Sequence, residues 1–160
     1  WRSCMTLTLG VPRLSLNTDS EPTPRMEEFR VQVGDVFHLW CNICIPQKYK
    51  FFVVAYAEPR LRYMLINSEP ASFQRGNSEL MGHLLKLSAA DHGFLNYDSY
   101  LDCGQILGGP SAEELGAAYA ADARIHIGTI APTPRQALRE VVVGSRVLSE
   151  RDKRLLLEAW

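Results

Sequence analysis

The chain has 160 residues, of which 46% are hydrophobic and 22% are charged, and its formal net charge is −1. This size and composition are typical of one globular domain with a substantial core. The near-zero charge excludes a field that would attract the whole chain to nucleic acid or lipid, so a nucleic-acid site would have to be a local basic patch. No apolar run in the sequence approaches the length of a membrane span, and we expect no membrane partner.

The first 30 residues differ in composition from the rest. The stretch Leu14–Pro24 is rich in turn residues and ends in Pro-Thr-Pro, which predicts a flexible tail over residues 1–30. Met26 follows this stretch, and we expect a natural start or a domain boundary near it. Residues 1–10 lack the long apolar segment of a signal peptide. The four cysteines are therefore expected to be reduced thiols in a cytoplasmic protein.

Strand patterns begin near residue 36. Val36–Trp40, Phe51–Tyr56 and Arg62–Ser68 are short apolar or alternating runs, and shorter runs follow at Leu84–Leu87 and Ser99–Cys103. The second run is almost continuously apolar, as in a strand that is covered on both faces. Because no helical pattern separates the first three runs, the spacing predicts a small antiparallel β-barrel.

Helical patterns follow in the last third of the chain. Ser111 is a predicted N-cap for a helix that runs to residue 121. Thr133 and Pro134 predict the start of a second helix, which Gly144 is placed to end. Ser149 begins a predicted capping box for a last helix. His126 is expected on the outward face of a short strand between these helices. Residues 31–160 are thus predicted to form one α+β domain, a barrel followed by helices.

A CxxC motif, Cys41 to Cys44, lies between the first two strands and has three interpretations. A zinc site would need about four ligands, which His38 and Cys103 could complete. A redox pair would be expected at a helix N-terminus, where the helix dipole lowers the thiol pKa, but a strand follows here. The favoured interpretation is two small, semi-buried thiols at the end of a strand. We accordingly expect no metal and no cofactor.

The remaining candidates are single residues, because no P-loop, GxGxxG, GxSxG or HExxH motif is present. His92 lies in a predicted turn, where it could be a catalytic base or an exposed cap, and His83 lies in a predicted loop. Lys48 and Lys50 flank Tyr49 just before the second strand. Two cations beside an aromatic ring suit a phosphate and a stacked base. The alternative for the lysine pair is a solvated rim.

Several short segments together suggest a family. Gly34-Asp35-Val36 opens the first strand, and the polar pair Asn67-Ser68 ends the third. Downstream, Asp91–Leu95 and Asp98–Cys103 lead on to Gln105-Ile106. Over residues 31–107 the sequence resembles the PemK/MazF-like toxins of toxin–antitoxin systems. The resemblance implies an SH3-like barrel, usually a homodimer, and often a metal-independent endoribonuclease that cuts single-stranded RNA.

The resemblance also implies a set of site residues. In such enzymes a basic residue near strand two and a Ser or Thr after strand three act at the scissile phosphate. Carried onto this chain, the basic residue is Lys48 or Lys50 and the hydroxyl is that of Ser68. The catalytic candidates are Lys50, Ser68 and His92. The candidate RNA contacts are Lys48, Tyr49 and Asn67.

One departure from the family keeps a second function open. The family's ribonucleases typically have an arginine in the loop before strand two, whereas the stretch Cys41–Lys50 contains none. Some relatives bind a protein target such as gyrase without cutting RNA, mostly through a C-terminal helix. The alternative prediction is therefore a non-catalytic SH3-like barrel that binds a protein partner, either an antitoxin or a cellular target. The stretch ending at Trp160 could be a docking helix or could pack on the barrel.

Overall fold

The computed structural model describes residues 29–160. Most of the predicted tail and the predicted boundary near Met26 lie outside the described residues. Phe29, the first described residue, stacks on the ring of Tyr119 with centroids 3.9 Å apart. Within residues 29–160, no helix combines the length and the apolar character that crossing a bilayer would require.

Six strands and five α-helices make up the described chain. The strands are β1 Asp35–Cys41, β2 Lys48–Tyr56, β3 Arg62–Asn67, β4 Leu84–Leu87, β5 Ser99–Leu107 and β6 His126–Thr129. The helices are α1 Ser72–Arg75, α2 Ser78–Met81, α3 Ala112–Ala121, α4 Pro132–Gly144 and α5 Glu150–Ala159, with a 3₁₀ turn at Ala123–Ile125 before β6. All the predicted strands and the three long helices are present, whereas α1 and α2 were not predicted.

The strands form one curled antiparallel sheet in the order β4-β5-β3-β2-β1-β6. The sheet is a half-barrel, and the helices α4 and α5 follow its last strand in the chain, so the predicted α+β class is confirmed. β2 lies near the middle, paired with β1 on one side and β3 on the other. The start of β2 and the end of β3 therefore reach the same end of the sheet.

The sheet has a hydrophobic core on each face, because successive side chains of a strand point to opposite sides. On β2, Val53 and Ala55 belong to one core, which α4 and α5 cover with side chains such as Leu138. Phe52 and Val54 belong to the other core, which α3 covers with Leu115. This double cover explains the continuous apolar run of β2 and confirms the sequence prediction.

The N-caps of two of the three long helices follow local sequence signals. Ser111 forms a capping box at α3, where its Oγ accepts the Glu114 N–H at 3.1 Å. Ser149 caps α5 by accepting the Asp152 N–H at 3.1 Å. Both predictions are confirmed. A side-chain oxygen at this position stabilises a helix by about 1 kcal/mol.

The start of α4 differs from the prediction. Its N-cap is Ala131 and its first residue is Pro132, two residues before the predicted Thr133-Pro134 start. Prolines are tolerated throughout a first helical turn, because the N–H groups there have no intrahelical acceptor. The Ala131 N–H instead donates to Nε2 of His92 at 3.2 Å. The ring of His92, which is 39 positions away in the chain, therefore takes part in this cap, and no local sequence pattern shows it.

The last helix is fastened to the sheet at both ends. Trp160 donates its Nε1–H to the Ala55 carbonyl at 2.7 Å. Near the start of α5, the Tyr56 hydroxyl donates to Oδ1 of Asp152, also at 2.7 Å. Burial, and then this hydrogen bond, raise the pKa of Tyr56 to about 12. These contacts hold both ends of α5 against the C-terminal end of β2.

Candidate functional site

A cavity of about 240 Å³ opens at the end of the sheet where β2 begins and β3 ends. The strands β1, β2 and β3, the residue after β3, and the loop that leads into β5 together with the first residue of β5 line it. These residues are His38, Lys48, Tyr49, Lys50, Phe51, Ile66, Ser68, Leu95, Asn96, Tyr97 and Ser99. Four of the six predicted site residues are in this set, namely Lys48, Tyr49, Lys50 and Ser68. The antiparallel pairing of β2 with β3 brings them together, although 18 positions separate Lys50 from Ser68.

Lys50 is held in place by the fifth predicted residue, Asn67. Phe51 pairs with Ile66, so the next step along the ladder brings Lys50 beside Asn67. The Lys50 Nζ donates to Asn67 Oδ1 at 2.6 Å and keeps two further N–H donors. Burial, and then the charge of Lys48, lower the pKa of the half-buried Lys50 amine. Lys50 is thus a partly desolvated cation with donors to spare, beside a second cation.

Aromatic rings surround the same opening. Tyr49 is 59% exposed, and the Trp40 ring meets it edge-on with centroids 5.2 Å apart. His38 pairs with Phe51 across the hairpin, and its ring lies 5.1 Å from Tyr49 and 5.2 Å from Phe51. An exposed aromatic ring at a cavity can stack on a nucleic-acid base. The site therefore combines cations with an aromatic surface.

His38 belongs to this site, although the sequence pointed to it only as a candidate zinc ligand. That interpretation arose because the residue precedes the CxxC motif in the chain. The hairpin register could have shown the association, since it places His38 opposite Phe51 and next to the lysine segment. A ring nitrogen of an imidazole can accept or donate a proton, so His38 adds a candidate general base or acid to the cavity.

His92, the sixth predicted residue, lies apart from the cavity lining. It is 2% exposed, and its Nδ1 lies 2.9 Å from the Ser88 carbonyl. Its Nε2 accepts the Ala131 N–H, so the hydrogen-bond network assigns the ring proton to Nδ1. Both nitrogens are thus used within the fold. His92 joins the loop before β5 to the start of α4.

The three cysteines within residues 29–160 do not all lie together. Cys41 is buried in the core that α3 covers, whereas Cys103 is buried in the core on the opposite face of the sheet. Burial, and then a hydrogen bond with Cys41, raise the pKa of Cys44. Burial raises the pKa of Cys103 to about 12. Among residues 29–160, no three His, Cys, Asp or Glu side chains are grouped to hold a metal ion. For the CxxC pair, the favoured interpretation was two semi-buried thiols at the end of a strand; Cys41 is fully buried at the end of β1, and Cys44 is half-buried in the connection that follows.

A buried serine–histidine pair lies elsewhere, in a segment predicted to be a loop. Nε2 of His83 is 2.7 Å from Oγ of Ser145, and its Nδ1 is 2.7 Å from the Glu79 carbonyl. The same Oγ accepts the N–H groups of Val147 and Leu148. Ser145 therefore donates its own proton to His83. Ser145 is 2% exposed and His83 is 5% exposed, so this pair is structural rather than a nucleophile and base.

The last histidine corrects a prediction. His126 pairs with Phe37 across β1 and β6, and its ring lies 5.1 Å from that of Phe37 rather than on the outward face. Its Nε2 is 3.4 Å from Oδ1 of the buried Asp35. Asp35 also accepts the Gln32 N–H at 2.7 Å and the Thr129 hydroxyl at 3.2 Å. The prediction that the His126 side chain points outward was wrong. The pairing of β6 with β1 directs it toward Phe37 and Asp35, and local alternation in the sequence does not show this.

No family model matches this sequence, and no curated protein matches it. The PemK/MazF-like resemblance thus stays a prediction from the sequence.

Proposed function

We propose that this chain is a toxin-like, metal-independent endoribonuclease that acts on single-stranded RNA in the cavity at the start of β2. The curled antiparallel sheet is compatible with the SH3-like barrel that the resemblance implies. The observation that supports the proposal best is the convergence of Lys48, Lys50, His38, Tyr49 and Ser68 on one small opening. The hydrogen bond to Asn67, which lies outside the lining, holds Lys50 in place there.

Each side chain has a chemical role in this proposal. Tyr49 stacks on a base, and Ser68 donates a hydrogen bond to the phosphate. His38 takes the proton of the ribose 2′-OH as that oxygen attacks the phosphorus. Lys50 stabilises the negative charge on the non-bridging oxygens, and its partial burial strengthens that interaction. The bond from phosphorus to the 5′-oxygen breaks, Lys48 protonates this oxygen, and the products are a 2′,3′-cyclic phosphate and a 5′-hydroxyl.

The test uses a fluorescent single-stranded oligoribonucleotide in buffer that contains a chelator. The wild-type protein should cleave it to a product with a 2′,3′-cyclic phosphate, detected by mass spectrometry, and should leave the matching DNA intact because DNA lacks the 2′-OH. Lys50→Ala should lower the rate about 10²–10³-fold, as expected for the loss of one donor to a transition-state oxyanion.

The matched control is Lys86→Ala. Lys86 is an exposed lysine on β4 that pairs with Asp98 outside the cavity lining, so its loss changes net charge equally. This variant should cleave like the wild type. A wild-type protein that leaves every RNA tested intact would exclude the ribonuclease function.

A second candidate function is favoured by the connection between β1 and β2. Ile45 is 99% exposed and Ile43 is 58% exposed, and Trp40 is 53% exposed nearby. Exposed apolar groups in one place mark interaction surfaces. We call Trp40, Ile43 and Ile45 the hairpin tip. If the protein is a non-catalytic barrel, this tip would bind a protein partner, which is an antitoxin or a cellular target. It could also bind a second copy of the chain in a homodimer.

Light scattering and growth assays test the second candidate. A homodimer formed through the tip should become a monomer in Ile45→Asp, whereas wild-type monomers at high concentration would exclude that dimer. Inhibition of growth by a chain that cuts no RNA, relieved by Ile45→Asp, would support a protein target. Inhibition unchanged by this substitution would argue against the tip as the binding surface.

A further inference from the structure

A second cavity, of about 540 Å³, lies at the other end of β2. Its walls come from the end of β2, the turn before β3, and the first turn of α5, and its residues are Tyr56, Pro59, Arg60, Arg62, Ser149, Arg151 and Asp152. We call it the arginine cavity after Arg60, Arg62 and Arg151. Tyr56 and Ser149 place it on the side of the sheet that α5 covers.

The arginine cavity carries excess positive charge. Among the residues that the structure describes, none of its three guanidinium groups forms an ion pair with a carboxylate. The one carboxylate in the lining, that of Asp152, instead accepts the hydroxyls of Tyr56 and Ser149 at 2.7 Å and 2.6 Å. Gathering like charges is unfavourable unless an anion joins them. The N-terminus of the ten-residue helix α5 also opens here and adds a partial positive charge.

The chemistry of these groups suits a phosphate. Arginine presents a planar fork of donors that binds phosphate oxygens in pairs, which the lysines of the first cavity cannot do. Arg60 and Arg151 are exposed and Arg62 is half-buried, so their donors can reach a ligand from solvent. The three arginines come from two segments that are 89 positions apart in the chain, counted from Arg62 to Arg151. Only the fold brings them together.

We propose that the arginine cavity is a second phosphate site, which holds a backbone phosphate of the same single-stranded RNA that enters the first cavity. This inference rests on the proposed function. Lys50 and Tyr56 are six residues apart on β2, and this separation corresponds to about 20 Å at about 3.3 Å per residue. A stacked strand has one phosphate per roughly 3.4 Å. An RNA of about four nucleotides therefore fills only the first cavity, and one of about twelve can reach both.

The test measures binding of 2′-O-methyl oligoribonucleotides, which keep the phosphates and cannot be cleaved through the 2′-oxygen. Fluorescence anisotropy is recorded for chains of four and twelve nucleotides over a range of salt concentrations. The double variant Arg60→Gln/Arg151→Gln should bind the twelve-nucleotide chain about tenfold more weakly. The slope of log K against log salt should fall by about 0.7, the value for one phosphate contact on a single strand. Binding of the four-nucleotide chain should not change.

Two further variants separate the inference from the proposed function. Lys50→Ala should weaken binding of both lengths. Arg124→Gln removes an exposed arginine that pairs with Asp122 outside the arginine cavity, and it should bind both lengths like the wild type. Circular dichroism of each variant checks that the fold is kept.

Every other result contradicts either the second phosphate site or the proposed function. If the double arginine variant binds the twelve-nucleotide chain like the wild type, the second site is excluded and the first cavity stands. If it weakens both lengths equally, or if Arg124→Gln has the same effect, the arginines act through general charge and the second site is again excluded. If the wild-type protein binds neither length, the proposed function fails together with the inference.

Discussion

The hydrogen-bond network around Ser145 allows a prediction of stability with a magnitude. Ser145→Ala removes an oxygen that accepts the N–H groups of Val147 and Leu148 at 3.3 Å and 3.1 Å and donates to His83 at 2.7 Å. A buried polar group left without a partner costs about 1–3 kcal/mol. In the variant, Nε2 of His83 and the Leu148 N–H both lose the Ser145 oxygen, which is the partner that each has in the described part of the chain. Both residues are buried. The hydrogen bond from the Val147 N–H is long, at 3.3 Å, so its loss adds little to the cost in stability. We expect the free energy of unfolding to fall by about 3 kcal/mol.

Unfolding in urea, monitored by circular dichroism, measures this loss of unfolding free energy, and thermal unfolding measures the matching change in Tm. A chain of this size loses roughly 3–4 °C in Tm per kcal/mol, so Tm should fall by about 10 °C. The matched control is Ser149→Ala, which removes an exposed serine that caps α5. It should cost about 1 kcal/mol, the usual value for an N-cap. The buried serine should thus matter about three times as much as the exposed one.

Two results would refute this reasoning. If Ser145→Ala unfolds at the same urea concentration as the wild type, the network does not stabilise the fold. If Ser145→Ala keeps its stability and loses RNA cleavage, while Ser68→Ala still cleaves, the Ser145–His83 pair would be catalytic. A double-mutant cycle with His83→Ala should give a coupling energy above roughly 0.5 kcal/mol, because the two side chains are in direct contact.

Three further predictions concern stability and thiol chemistry. Trp160→Phe removes the hydrogen bond to the Ala55 carbonyl and should lower the free energy of unfolding by about 1 kcal/mol in urea, whereas no change would mean that this bond is dispensable. Gly128→Ala would place a Cβ 2.7 Å from the Phe94 ring, so we expect a loss of about 1–3 kcal/mol, and an unchanged Tm would contradict it. Burial raises the pKa of Cys103 from its ordinary 9.0 to about 12, so this thiol stabilises the fold below pH 9 and loses that contribution as the pH rises toward 12. Iodoacetamide at pH 8 should alkylate Cys103 only in denaturant, and rapid alkylation of the folded protein would show that the thiol is accessible.

Part of the candidate site was predictable because it depends on one hairpin and its neighbour. The sequence predicted Lys50 just before the second strand and Asn67 at the end of the third, and antiparallel pairing of consecutive strands brings such ends together. His38 was recoverable from the same hairpin register. His92 was harder to interpret, because its partners, the Ser88 carbonyl and the Ala131 N–H, are 4 and 39 positions away. Nothing near it in the chain indicates that both ring nitrogens are used inside the fold.

The long helices and the strands could be predicted from the sequence alone, because helix and strand periods and helix caps are properties of neighbouring residues. The apolar run of β2 and the serines that cap α3 and α5 are of this kind. The helices α1 and α2 could not be predicted in this way, because four residues are too few to show a period. The local signal of α2 is a single cap, Asn77, which accepts two N–H groups at its start, whereas the N-cap of α1 is Ala71 and carries no such side chain.

Which polar residues meet depends instead on the tertiary structure. The direction of His126, the buried contact between His83 and Ser145, and the arginine cavity all depend on how α4, α5 and β6 pack on the sheet. Such contacts join residues far apart in the chain, and their formation depends on the whole core. Residue order therefore specifies the strands and helices of this protein, whereas the packing of helices against two faces of one sheet specifies which charges share a cavity.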